Sequence, residues 1–201
     1  MKCYSKKMNT VPGVRLNHVA ILVRSVSTAA KITRSFGFFD GPSSFWEGEG
    51  TQEIYVGEKS KTGLLLLMEP VRDGAYSRAL QKRGPGLHHI AIDVLNLEDY
   101  ILSLAGSGWL IHPQSLKTMK SARTAYLARP GVPTLIEVQE RDAIPDRQSF
   151  IRAVEVPIQV SDSGLLNALG VTEIHPSTTS QAWLTCEEKR FLVNTLLNSF
   201  I

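Results

Sequence analysis

A chain of 201 residues, 43% apolar and 20% charged, has material for one large domain or two small ones. Its net charge of +3 is scattered, with no basic run longer than a pair such as Lys6-Lys7, so the sequence offers no footing for nucleic-acid binding. Cys3 and Cys186 are too few for a disulfide framework or a zinc knuckle, and apolar runs such as Leu64–Met68 are far too short to span a bilayer.

Residues 1–13 form a polar tail without the apolar stretch of a signal peptide, and a cytoplasmic protein with no membrane partner is expected. A first module, 14–70, opens with a strand near 16–23. Ser25 then caps a helix that runs to Phe36, with Val26, Ala29, Ala30 and Ile32 on one side and Gly37 closing it. Strands follow near 43–47, 52–57 and 63–69. A linker, 71–86, carries a short helical stretch around Ser77–Lys82 and the breakers Gly84-Pro85-Gly86. The second module, 87–141, repeats the order: a strand at 87–94, Asn96 as cap, a helix at 97–106, and strands near 109–112, 123–128 and 134–140.

Two readings stand for the C-terminal extension, 142–201. In one it is a degenerate third module opening at Val156–Val160, with Ile174-His175-Pro176 echoing Ile111-His112-Pro113. In the other, 186–199 is a helix whose capping box is Thr185 and Glu188. The expected class is α+β: paired βαβββ modules forming a curled mixed sheet around a central cup.

The modules line up, without a gap, when the chain is shifted against itself at one constant offset. Leu16-Asn17-His18-Val19-Ala20-Ile21-Leu22-Val23 then falls on Leu87-His88-His89-Ile90-Ala91-Ile92-Asp93-Val94. His18 meets His89, and the last matched strand carries Glu137. Side chains alternate along a strand, so equivalent positions point alike, and the three are expected to share the cup. His88 is expected on the opposite face. The position equivalent to Glu137 is Leu66. Two imidazoles and a carboxylate suit zinc, cobalt, nickel, manganese or non-haem iron, with coordination sites left for substrate or water. Tyr55 and Tyr126 are equivalent and read as packing. Arg123 and Arg129 are candidates to meet an anionic substrate.

Ser77-Arg78-Ala79-Leu80-Gln81-Lys82-Arg83-Gly84-Pro85-Gly86-Leu87-His88-His89-Ile90-Ala91-Ile92-Asp93-Val94 closely resembles methylmalonyl-CoA epimerases, as does Asn17-His18-Val19-Ala20-Ile21-Leu22-Val23. Leu135-Ile136-Glu137-Val138 is similar to the strand that ends the family's second unit. These proteins belong to the vicinal-oxygen-chelate superfamily, with glyoxalase I, extradiol dioxygenases and small drug-resistance proteins. The resemblance spans about residues 14–141. It implies a divalent metal on His18, His89 and Glu137, with the family's fourth ligand falling on Leu66. Glu69, three residues on, would lie on the other face of a regular strand. An epimerase-like reaction would remove a proton beside a carbonyl of a small acyl or α-keto substrate. Glu137 would be one acid–base group, and Glu47 or Glu49, in Phe45-Trp46-Glu47-Gly48-Glu49-Gly50, the other. A homodimer is a further implication, because such cups often form across dimers. Two alternatives stay open: an iron(II) extradiol-type dioxygenase using the same three ligands, and a non-catalytic small-ligand protein with an incomplete metal site.

Overall fold

Strand β1 (Arg15–Leu22), helix α1 (Val26–Ser35) and strands β2 (Ser44–Trp46), β3 (Thr51–Val56) and β4 (Leu64–Pro70) make the first βαβββ unit in the computed structural model, which describes residues 13–113, 115–159 and 163–197. After α2 (Ala75–Arg83), the second unit is β5 (Gly86–Val94), α3 (Leu97–Ser103), β6 (Leu110–Ile111), β7 (Thr124–Ala128) and β8 (Leu135–Glu140). It also holds α4 (Ser115–Ala122), a helix the sequence reading does not anticipate, and α3 is shorter than expected. Ser25 and Asn96 cap α1 and α3 as expected, accepting from Thr28 and Asp99 backbone N–H groups.

The units join edge to edge in one eight-stranded sheet of order β2-β3-β4-β1-β5-β8-β7-β6. Within each unit the first and last strands run parallel; β1 and β5 meet antiparallel across the seam. The seam register is symmetric about Val19–Ile90, so His18 faces Ala91 and Ala20 faces His89. Both halves come from one chain, and residues of both units line one cavity.

Alternation sorts the residues of the sheet. Val19, Ile21, Leu65, Leu67, Ile90, Ile92, Ile136 and Val138 pack outward into the main core with α1 and α3, while Ala20, Leu22, Leu66, Met68 and Tyr76 form a small cluster on the other face. Ser44 of β2 and Thr124 of β7 line one cavity although five strands separate them, so the sheet curls.

The extension makes a second sheet from β9 (Ile151–Val156), β10 (Ile174–Pro176), β11 (Trp183–Cys186) and β12 (Lys189–Leu192), with α5 (Ser163–Asn167) after β9. The element order is again βαβββ, but the pairing is not. Its order is β10-β9-β11-β12, with the second strand parallel to the first and the last strand on the edge. The opening strand lies earlier in the chain than expected, and Val160 is outside the described residues. The alternative reading of a helix over 186–199 is not met: a hairpin and a 3-10 turn, Val193–Leu196, occupy its described part, and 198–199 lie outside the described residues. Cys186 pairs with Lys189 around Glu187, whose φ of 53° makes the tight turn, and Thr185 is a strand residue rather than a cap. This unit packs behind the helices: Phe38 meets Phe150 at 5.2 Å between ring centroids, and Tyr100 Oη donates to the Leu169 carbonyl. Cys186 is buried and reduced in it; Cys3, Phe200 and the tail to residue 12 are outside the described residues. No helix among the described residues is long and apolar enough to cross a membrane.

Glu69 and Glu140, at equivalent positions of the two units, do the same work. Each ends the last strand of its unit and accepts from the first backbone N–H of that unit's helix, at Val26 and Leu97, both at 2.9 Å. Glu69 is therefore a helix anchor. Glu69→Ala is expected to lower the unfolding free energy by about 1 kcal/mol, the usual worth of a helix cap, in a urea titration.

Candidate metal centre and cavity

β1 and β5 each carry a one-residue irregularity before the histidine of interest. The pairing steps from Leu16 to His18 while the partner advances from Ile92 to Ala91, which leaves Asn17 as an extra residue. On β5 the pairing passes from His89 to Leu87 opposite Ala20 and Ile21, and His88 is extra. Each bulge resets alternation, so Leu16 and Leu87 pack with the outer core while His18 and His89 turn to the cavity.

His18 Nε2 lies 3.1 Å from His89 Nε2; Glu137 Oε2 is 3.2 Å from the latter and 3.8 Å from the former. All three residues are buried, at 4%, 2% and 8% exposure. Their donor atoms lie within 4.8 Å of one another. Donors held at about 2.0–2.2 Å from one cation stand about 3–3.5 Å apart at ordinary coordination angles, a range that holds two of the three separations while the His18–Glu137 one, at 3.8 Å, is slightly wide. Tyr55 and Tyr126, also equivalent across the repeat, each set a ring edgewise on one histidine, at 5.8 and 5.9 Å.

Burial, then repulsion from His89, lowers the His18 imidazole to about 3 against the attraction of Glu137. Burial raises the Glu137 carboxyl, but the hydrogen bond and charge of His89, with the charge of His18, outweigh it and bring it down to about 2. A neutral imidazole and an ionised carboxylate are the forms that bind a metal.

The cavity around them has a volume of about 490 Å³. Leu66, 3% exposed, stands on its wall at the position equivalent to Glu137, so the site offers three protein donors. Of the two acids beside Gly48, only Glu49 reaches the cavity, where burial pushes its carboxyl up against a hydrogen bond with Tyr76. Glu47 points outward and pairs with Arg72 at 2.6 Å. Neither Arg123 nor Arg129 lines the cavity: Arg123 pairs with Glu140 and Asp142, and Arg129 donates to the Ser107 carbonyl.

The sequence reading missed several lining residues. Glu53, buried and raised by burial, accepts from Thr51 Oγ1 at 2.6 Å. Asn17, Gln139 and Arg141 also face in. Period-two spacing from Tyr55 and from Glu137 points to Glu53, Gln139 and Arg141; Asn17 needed the bulge. His88 is corrected too. It is buried beside the site, its Nδ1 2.9 Å from His89 Nδ1 and its ring 4.8 Å from that of Tyr76.

No protein-family model matches the chain, and no curated protein matches it in sequence. Among solved structures, a hypothetical protein from Bacillus halodurans C-125 is 22% identical over 67% of this chain and 99% of its own, with a TM-score of 0.51. A methylmalonyl-CoA epimerase in complex with methylmalonyl-CoA and NH4+ is 21% identical over 66% of this chain and 99% of its own, at 0.49. The methylmalonyl-CoA epimerase from Mycobacterium tuberculosis is 21% identical over 72% and 94%, at 0.48. At these identities the likeness speaks to the fold alone.

Burial also lowers His88 to about 3, so His18 and His88 stay neutral in the fold while the unfolded chain protonates them near 6.5. The unfolded state then binds more protons, and stability falls as pH drops below about 6.5, by about 2 kcal/mol per such histidine at pH 5. Urea midpoints of metal-free protein are expected to fall from pH 7.5 to pH 5, and to fall less in His88→Gln.

Proposed function

We propose that the chain is a metal-dependent enzyme of the vicinal-oxygen-chelate type that transfers a proton next to a carbonyl of a small acyl or α-keto substrate, in the manner of methylmalonyl-CoA epimerases or glyoxalase. The observation that carries this reading is the convergence of His18, His89 and Glu137 on one point in a curled-sheet cavity that also holds Glu49.

His18, His89 and Glu137 would hold a divalent ion, whose chemistry is to polarise a carbonyl oxygen and stabilise the negative charge that develops there. Glu49 is the second acid–base group. Burial keeps its carboxyl poised above the ordinary range, and the Tyr76 hydroxyl orients it. It takes the proton from, or returns it to, the substrate carbon, with Glu137 as the other acid–base group. Glu53, buried, and Tyr55, partly open to solvent, stand on one strand of the cavity wall. Arg141 at the rim is the cation nearest an incoming substrate anion, held by Asp93 at 2.8 Å.

Leu66 favours a second reading, the iron(II) extradiol-type dioxygenase, because three protein donors leave more of the metal open. Substrate assays distinguish the two. With methylmalonyl-CoA in deuterated water, the epimerase-like reading expects deuterium at the carbon next to the thioester. With a catechol, the dioxygenase reading expects oxygen uptake with iron alone.

Purified protein is expected to carry near-stoichiometric metal, which His89→Ala and Glu137→Ala abolish in elemental analysis. Protein that refuses zinc, cobalt, nickel, manganese and iron on reconstitution overturns both enzyme readings in favour of a ligand-binding cup. Glu49→Gln is expected to keep the metal and lose about 10²–10⁴-fold in deuterium exchange; Glu47→Gln is expected to retain exchange at the wild-type rate.

A further inference from the structure

The two bulges put a hydrogen-bonding group against the far ring nitrogen of each histidine. Asn17 Oδ1 is 2.7 Å from His18 Nδ1, and His88 Nδ1 is 2.9 Å from His89 Nδ1. Asn17 and His88 occupy equivalent positions of the two units, each the extra residue of its bulge and each next to a donor of the metal cluster. In a regular strand a neighbouring residue points to the other face and cannot make this bond; the extra residue brings it round.

The amide orientation of Asn17 is set by its other partner. Asn17 Nδ2 donates to Asp93 Oδ2 at 2.8 Å, a carboxylate that can only accept, and Arg141 Nε holds Asp93 Oδ1 at 2.8 Å. Asn17 Oδ1 is therefore the atom turned to His18, and the proton between them belongs to His18 Nδ1. On β5 the ring of His88 is pinned against Tyr76 at 4.8 Å, with its Nδ1 aimed at His89.

We propose that Asn17 and His88 are positioning residues for the metal centre: each accepts the Nδ1 proton of the histidine that follows it and thereby turns that ring's Nε2 lone pair into the cavity. The inference rests on the metal reading above for its purpose; the tautomer it assigns to His18 exists without a metal, while His89 takes its own when a cation displaces the Nε2 proton shared with Glu137. An acceptor of this kind fixes ring orientation and raises the basicity of the ligating nitrogen. The two bulges are equivalent, so an asparagine in place of His88 should serve as Asn17 does.

The test has two arms. Long-range proton–nitrogen NMR of the imidazoles is expected to place a proton on Nδ1 of His18 in metal-free wild-type protein, and on Nδ1 of His89 once zinc is added; an unprotonated Nδ1 in either case overturns the proposal. For the second arm, cobalt(II) affinity is measured by competition with a chelator. Asn17→Leu and His88→Leu are expected to weaken binding about 10–100-fold, and His88→Asn to stay within about threefold of wild type. Wild-type affinity in His88→Leu overturns the positioning role, and loss in His88→Asn equal to that in His88→Leu reduces His88 to a packing residue. If the wild type binds no cation at all, the metal reading fails and the His88 half of the proposal with it, while the metal-free NMR still decides which nitrogen of His18 is protonated.

Discussion

The antiparallel pairing of β1 with β5 is the constraint on which the rest of the structure depends. Neither unit alone brings two histidines within reach of one ion. The seam does so because its register is centred on Val19–Ile90, which sets His18 and His89 one step to either side of the centre on opposite strands. A slip of one residue would turn both rings out of the cavity. The large aliphatic residues on the outer face of the same two strands oppose that slip, since it would carry Val19, Ile21, Ile90 and Ile92 out of the core.

A symmetric scaffold here carries an asymmetric site. Equivalent positions of the two units hold Leu66 and Glu137, Met68 and Gln139, Glu53 and Thr124, with only the histidines and tyrosines alike. The last strand of the first unit presents hydrocarbon where its counterpart presents a donor, while the acids of the first unit sit on β3 and on the turn before it. One wall of the cavity thus carries the carboxylate of the His-His-Glu cluster and the other carries Glu49 and Glu53. Division of labour on paired units is a property of the side chains, and the fold permits it without requiring it.

Hydrophobic alternation and the constant offset between modules made the paired βαβββ architecture and the meeting of His18, His89 and Glu137 legible in the sequence. Features that depend on a single backbone dihedral or on a partner strand were not. The bulges at Asn17 and His88 carry no glycine or proline to announce them, so a regular strand placed His88 on the wrong face. The hairpin at Glu187 uses a positive φ at a glutamate, a turn that composition does not signal, and a helix over 186–199 therefore stayed open as one of two readings. The extension has the same run of element types as the other units, but which strand it places next to β9 follows from packing against Phe36, Phe38 and Tyr100. Glu53 was overlooked because its pseudo-equivalent, Thr124, bears no charge.

The seam also has a consequence for how the chain is made. Ile90 leaves the ribosome about 4–14 s after Val19, at about 5–20 residues per second. Until then β1 can pair with β4 but its other edge is bare, and a bare strand edge is a template for any similar strand nearby. On a polysome the most similar strand available is the β1 of a neighbouring nascent chain. The spacing that lets one polypeptide assemble both halves of the cavity also fixes how long the first half waits unprotected.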